Sequence, residues 1–374
     1  MLALVVVACM GFSSQMLMPI WVGQVVDGYG LAPADAGKIA SLEMFLVAGT
    51  SVVVSFLLGR VPRIHMTAAG LALLIVGNTL CVAFHSYPGL LLCRSMTGIG
   101  KGLLVAALFS LAGQTANPTR SFSIINCGYA AVSTVAFLVA PSFVRWFGPP
   151  GVFYLTTGLS LVGACFVPLL PAQGIEAAHT GGMFRDARGA RLTGILILAA
   201  FFLFSSTKDC LWVFVERLGG RTGLTLPEIG KILSATSLVA IAGPALAHVT
   251  EARFGVTRPM LISIVVIAAL GLAIASTGNA IVFLVCVPVF AALGLFITSY
   301  FQGLLGLADP SGGLAAMSLA VSTGGAAFGA LVGSWVIAGV GYDGLGPVDL
   351  ALFVAVFAML LFMTPGWRRE RQSR

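Results

Sequence analysis

The feature that most constrains this chain is its division into long apolar runs. A membrane-spanning helix needs about 20 consecutive, mostly apolar residues. Twelve stretches qualify: Leu2–Val26, Gly37–Leu58, Met66–His85, Pro88–Ala116, Phe122–Phe147, Gly151–Leu170, Thr193–Val215, Pro227–Val249, Pro259–Ser276, Ala280–Leu305, Gly313–Ala338 and Gly346–Thr364. The breaks between them carry most of the polar and charged residues. Only 9% of the residues are charged, whereas a soluble domain carries about 25%. Such a chain has too little charge to cover a surface facing water, so its outer surface faces lipid. Spanning β-strands would read as segments of about 10 residues with alternating polarity, and these runs are longer and continuously apolar. The expected fold class is therefore all-α integral membrane, with twelve transmembrane helices. Met1 is followed at once by apolar residues, without the basic stretch of a secretory leader, so the first run reads as a membrane span. All seven cysteines lie in apolar runs without a CxxC pair and read as packed thiols.

The net charge of +7 reflects topology, not nucleic-acid binding. If the N-terminus is cytoplasmic, the cytoplasmic connections and tail hold Arg60, Arg63, Arg120, Arg185, Arg188, Arg191, Arg253, Arg258, Arg368, Arg369, Arg371 and Arg374. The opposite side holds Lys38, Arg145, Arg217, Arg221 and Lys231. The positive-inside rule then places both termini inside, in a multi-pass protein of the cell (plasma or inner) membrane.

The chain also reads as a duplication. Its longest polar connection, Pro171–Leu192, leaves six runs on each side. LAPADAGKIAS at Leu31–Ser41 aligns with LTLPEIGKILS at Leu224–Ser234, and Asn117-Pro118 aligns with Asp309-Pro310. The two offsets agree to one residue. The expected organisation is a six-helix bundle over 1–170, a cytoplasmic linker over 171–192, a second bundle over 193–365 and a basic tail over 366–374. Parallel repeats of this kind rock around a central site in secondary transporters.

The fourth run opens with CRSMTGIGKGLL (Cys93–Leu104). Arg94, Gly98, Gly100 and Gly102 match the R-x-x-x-G-x-G-x-G pattern of the fourth helix in the major facilitator superfamily, and Pro118 and Arg120 match the P-x-R that often follows. With the duplication, the chain resembles that superfamily over nearly its whole length. The resemblance implies a six-plus-six fold and a cavity lined by the first, fourth, seventh and tenth helices. Two motifs depart from the family. FLLGRVPR (Phe56–Arg63) keeps two arginines of the loop after the second helix but lacks its aspartate. The fifth-helix Gly-Pro motif of antiporters survives only as Ala140-Pro141.

Ionisable residues inside a bilayer cost roughly 2.5–3.5 kcal/mol each on insertion scales, so they face a cavity or a partner. Glu43, Arg94, Lys101, Lys208 and Asp209 lie well inside runs, and Glu216 lies near a run's end. Arg94 and Lys101 share one face of the fourth helix, and Glu43 lies at a similar depth to Arg94. Arg94 is thus either a fixed partner of Glu43 or part of a solute site. Lys101 has no evident partner within its own half. In the seventh helix, Ser205, Lys208, Asp209, Trp212 and Glu216 fall within one arc of about 100°. Lys208 is either neutralised by Asp209 or Glu216 or used in the site, and Glu216 either acts there or sits in headgroup water with Arg217. The candidate solute-binding residues are Arg94, Lys101, Lys208, Asp209, Trp212, Gln15, Tyr300 and Gln302. The candidate proton carriers are Glu43, Asp209 and Glu216. Gln15, Tyr300 and Gln302 read equally as helix-packing contacts, and Trp212 as a lipid-interface residue.

Rival classes fare worse. GIGKG lacks the first glycine of a phosphate loop, since Ser95 stands there, and no strand precedes it. The four histidines show no metal-ligand spacing, so neither an enzyme nor a cofactor or metal is expected. A receptor or scaffold gains nothing from buried charges. The reading is a secondary transporter, expected as a monomer in the bilayer, with a small-molecule substrate. It takes up an organic anion such as a carboxylate by proton symport; the alternative is proton-coupled antiport that exports drugs or metabolites.

Overall fold

The computed structural model describes residues 1–55, 61–113, 118–170, 188–308 and 313–372. The described residues form helices and no strand. Eleven segments are long and apolar enough to cross a membrane, and they follow the second to twelfth expected runs.

The first expected span is a broken helix: α1 (Leu2–Gly11), α2 (Ser13–Met16) and α3 (Met18–Tyr29). Its hydrogen-bond ladder carries on through the breaks, with Phe12 N–H on the Ala8 carbonyl and Leu17 N–H on the Ser13 carbonyl, both at 3.1 Å. Pro19, in the first turn of α3, has no N–H for the Gln15 carbonyl, which explains the second break. The Trp21 indole N–H turns back onto the Ser14 carbonyl at 3.1 Å. With this segment the described residues provide twelve membrane crossings, the expected number.

The remaining helices are α4 (Pro33–Ser55), α5 (Arg63–Ala83), α6 (Tyr87–Gly113), α7 (Pro118–Phe147), α8 (Gly151–Phe166), α9 (Arg188–Trp212), α10 (Val215–Arg221), α11 (Leu226–Ala240), α12 (Ala242–Phe254), α13 (Thr257–Ser276), α14 (Ala280–Ala308), α15 (Gly313–Val340) and α16 (Leu345–Gln372). α9 and α10 together make the seventh span, Gly194–Arg221, and α11 and α12 the eighth, Leu226–Glu251. The eighth breaks at Ile241, where Pro244 has no N–H for the Ala240 carbonyl.

One sequence repeat has a structural counterpart. α4 begins at Pro33 and α11 at Leu226, the same offset that aligns Asp35 with Glu228. Both acids sit in the first turn of their helix, where a carboxylate faces the positive end of the helix dipole. Glu228 accepts the backbone N–H and the hydroxyl of Thr225 at 2.8 and 2.7 Å, the carboxylate half of a capping box. Asp35 pairs with Lys38 at 2.8 Å. Of the second aligned pair, Asn117, Asp309 and Pro310 lie outside the described residues, as do most of the expected linker and the Phe56–Arg60 part of the loop motif.

The helices group into two compact units. The first comprises Met1–His179 with Val213–Leu238, and the second comprises Thr180–Trp212 with Val239–Arg374. α10 and most of α11 therefore pack with the first six spans.

In the first unit, α6 packs between α4 and α5 through glycines. A Cβ on Gly98 would lie 2.6 Å from the Glu43 carbonyl oxygen of α4, and one on Gly102 would lie 2.5 Å from the Thr50 side chain. Gly100 faces the other way: a Cβ there would lie 2.6 Å from the Gly70 carbonyl oxygen of α5, and the reverse holds for Gly70. The glycine run serves close helix approach, the mode of packing that lipid-embedded helices use. In the second unit, Gly325 and Gly329 of α15 meet the α9 backbone at Phe202 and Ser206 in the same way.

Gly100→Ala should destabilise the protein by about 1–3 kcal/mol, the cost of overpacking a tight contact, despite alanine's better helix propensity. Gly158→Ala in α8, with nothing within 4 Å, should be neutral or mildly stabilising. Thermal unfolding of the two purified variants beside wild type checks the pair.

Candidate functional site

The expected intramembrane charges of the first half converge on one buried cluster. α4 carries Glu43 and α6 carries Arg94 and Lys101. Glu43 is 0% exposed, and both cations are 1% exposed. The Arg94 guanidinium donates to Glu43 Oε2 from Nε at 3.0 Å and from Nη2 at 2.7 Å. Nη1 donates to Asn78 Oδ1 of α5 at 2.9 Å, and Nη2 also donates to the Ser14 hydroxyl of α2. Ser14 and Thr97 donate to Glu43 Oε1 at 3.2 and 3.1 Å. Trp21 of α3 lies against the guanidinium, 4.3 Å from ring centroid to Cζ, with Phe153 of α8 at 5.7 Å. Four other spans thus hold one arginine of α6.

Lys101 is held less completely. Its Nζ lies 2.5 Å from Glu43 Oε1 and has no hydrogen bond of standard geometry. The pairing corrects the expectation that Lys101 lacks a partner in its own half. Arg94 is likewise ion-paired with Glu43. Sequence spacing placed both cations on one α6 face, but the approach of α4 across Gly98 lets a single carboxylate reach both. The cluster holds two cations and one anion in an interior where ionic groups are expensive to leave unbalanced.

Glu216 also belongs to the first unit. It is 5% exposed, so headgroup water does not bathe it. A Cβ on Gly23 of α3 would fall 1.9 Å from Glu216 Oε2, an oxygen with no hydrogen-bond partner. The next residue, Arg217, pairs with Asp27 of α3. Gln15 of α2 is half-buried.

The second unit holds the rest of the expected seventh-helix stripe, which ends with α9 at Trp212. Lys208 and Asp209 pair with each other at 2.9 Å, the internal neutralisation that the sequence left open. Lys208 is half-buried, with its stem on Gly294 of α14, and Asp209 is 5% exposed. Ser205 is buried against Gly325, and Trp212 is half-buried. Tyr300 shares a 2.9 Å hydrogen bond with Thr250 of α12 and donates to the Ala247 carbonyl at 3.3 Å, a contact between helices. Gln302 is exposed. The stripe is not on one continuous helix: α9 ends at Trp212, and Glu216 stands on α10, which packs with the first unit.

One buried acid escaped the sequence reading. Asp349 of α16 is 0% exposed, and neither carboxyl oxygen has a hydrogen-bond partner. It lies four residues inside the helix and within the run Gly346–Thr364, so an inventory of acids within the runs finds it.

Twelve crossings among the described residues, with a charge cluster buried inside the first unit, define a polytopic membrane protein with a charged interior. The Major Facilitator Superfamily sequence profile matches residues 3–309, and the chain belongs to that family. It is a membrane transporter of this type. Among curated proteins, a transporter of Buchnera aphidicola subsp. Acyrthosiphon pisum (strain APS), itself described as uncharacterized, is 25% identical over 161 residues; the match spans 41% of each chain. Among solved structures, a mutant form of the nucleoside transporter NupG superimposes with a TM-score of 0.79 at 12% identity, over 97% of this chain and 99% of that one. A POT family transporter in complex with a thioalcohol-conjugated peptide gives a TM-score of 0.78 at 14% identity, over 97% and 95%. At these identities the structures share the fold.

Glu43→Gln leaves two buried cations without their carboxylate, and should cost about 3–5 kcal/mol. Adding Lys101→Met removes the less satisfied cation and should recover part of that loss. A thermal-unfolding double-mutant cycle checks the coupling.

Proposed function

We propose that this transporter takes up an organic anion, of the carboxylate class, together with a proton. The observation that carries the reading is the surplus of positive charge in the Glu43–Arg94–Lys101 cluster. Arg94 is fully engaged by Glu43, Asn78 and Ser14, whereas Lys101 depends on Glu43 alone. An incoming carboxylate is an equivalent partner for Lys101. It displaces Glu43, and a displaced carboxylate in this interior takes a proton rather than remain buried and charged. The net buried charge is then unchanged, because one anion and one proton enter together. Charge conservation in a low-dielectric interior thereby couples the two movements.

In this reading Lys101 and Arg94 bind the solute's anionic group, and Glu43 carries the proton. Asp209, paired with Lys208, is the corresponding exchange site of the second unit, and Glu216 is a further proton carrier. Trp212, Gln15, Tyr300 and Gln302 supply neutral contacts to the rest of a small solute. Alternating access moves the two six-helix halves, 1–170 and 193–365, around the site. The protein works as a monomer in the cell membrane with both termini in the cytoplasm, as the arginine distribution supports.

A thermal-shift screen of the purified protein with organic acids, amines, sugars and lipophilic drugs tests this. Ligand at 100 times its Kd stabilises by about 2.7 kcal/mol. Carboxylates should stabilise wild type, and Lys101→Ala should lose that shift while keeping its fold. Stabilisation by cationic or lipophilic compounds alone, undiminished in Lys101→Ala, would overturn the anion reading in favour of efflux by antiport.

A further inference from the structure

Asp349 has no role in the cluster just described. It lies about 6 Å along α16 from the start of that helix at 1.5 Å per residue, and it is fully buried. α16 meets α13 closely, with Gly346 of α16 against Leu272 and Ala275. One turn further on, Gly271 of α13 makes room for the Asp349 carboxyl: a Cβ there would fall 2.2 Å from Asp349 Oδ2. The same space is bordered by Phe290 of α14, 3.4 Å from that Cβ position. Cys210 of α9 lies near enough to interact electrostatically with Asp349.

The titratable and charged groups of the packed helices offer the carboxyl no counter-ion among the described residues. α9 carries Cys210, Lys208 and Asp209, with Lys208 paired to Asp209; its Arg188 and Arg191, and the charged residues of α16 from Arg368 on, lie about 30 Å or more away along their helices. α13 carries Arg258, thirteen residues before Gly271 and nearly 20 Å away along the helix. α14 carries only Cys286 and Tyr300, and Asp343, just before α16, is exposed. An ionised carboxylate so enclosed would lack both a hydrogen bond and a cation, a cost that a buried acid avoids by becoming neutral. A metal ion is a poorer occupant, since hard cations require several oxygen ligands and Gly271, Phe290 and Cys210 bring no side-chain oxygen.

We propose that Asp349 is a proton-binding site of the second unit, neutral in this conformation and in exchange with water through the nearby end of α16. It is separate from Glu43, Asp209 and Glu216, and it stands whether or not the solute is an organic anion. It gives the second unit a protonation site without a partner cation.

Infrared spectroscopy of the protein in lipid vesicles at pH 7 tests this, with the proton itself as the probe. A Glu216→Gln background removes the other acid with an unpartnered oxygen. The difference between this protein and its Asp349→Asn derivative should contain the C=O stretch of a neutral carboxylic acid, and the band should shift downward in heavy water. If the derivative fails to fold, the same protein grown with carboxyl-¹³C aspartate answers the question. Asp27, Asp35 and Asp209 are ion-paired and Asp343 is exposed; with Asp186→Asn and Asp309→Asn removing the two remaining aspartates, a neutral aspartic-acid band that moves on labelling reports Asp349. A spectrum with only ionised carboxylate stretches would overturn the proposal, and so would a neutral band that does not shift in heavy water.

Discussion

The first unit is organised around one carboxylate that serves two cations. Glu43, Arg94 and Lys101 are almost wholly removed from solvent, where each charge depends on its neighbours for stabilisation. The surrounding structure supplies them. The broken first span brings Ser14 to the guanidinium and lays Trp21 against it, and α5 contributes Asn78. The glycines of α6 let α4 come close enough for one carboxylate to reach both cations. Moving α4 outward by one methyl group would separate charges that the interior cannot leave apart. Helix packing and electrostatics are therefore one constraint here, and Gly98 matters to the ion pairs although it carries no charge.

The second unit treats its charges differently. Lys208 and Asp209 are sequence neighbours whose side chains meet locally. Their pairing requires no helix to approach another, and Lys208 keeps substantial exposure. The first unit binds its charges through tertiary contacts, and the second through a contact internal to one helix. A pair held by one helix can open without repacking its neighbours. Opening the Glu43 cluster instead requires its helices to move.

The spans and the charges within them were legible in the sequence because apolar run length is a direct consequence of bilayer thickness. The repeat was legible too, since Asp35 and Glu228 each belong to a helix start that local chemistry dictates. The partner of Lys101 was not. Helical spacing reports which residues share a face of one helix, and Glu43 reaches Lys101 from another helix across Gly98. The position of Glu216 was hidden for a related reason. The seventh span breaks at Val213–Phe214, where no glycine or proline marks the interruption, so extrapolating one helical arc carried Glu216 to the wrong neighbours. Asp349 lay in plain view within its run and was passed over because it sits near that run's start.

Three buried acids share a feature that joins these observations. Glu43 sits where Gly98 admits the α4 backbone, Glu216 lies against Gly23, and Asp349 lies against Gly271. A carboxyl group is short and needs space beside a neighbouring helix. A glycine provides that space without the rotamer adjustments a larger side chain would need. At Glu43 the glycine admits backbone rather than carboxyl, and the close helix approach brings two cations to the carboxylate. In Asp349 the space is apolar, and the proton replaces the counter-ion. A glycine stands beside each of the three, and what distinguishes Glu43 from Asp349 is whether a cation stands beside the carboxyl.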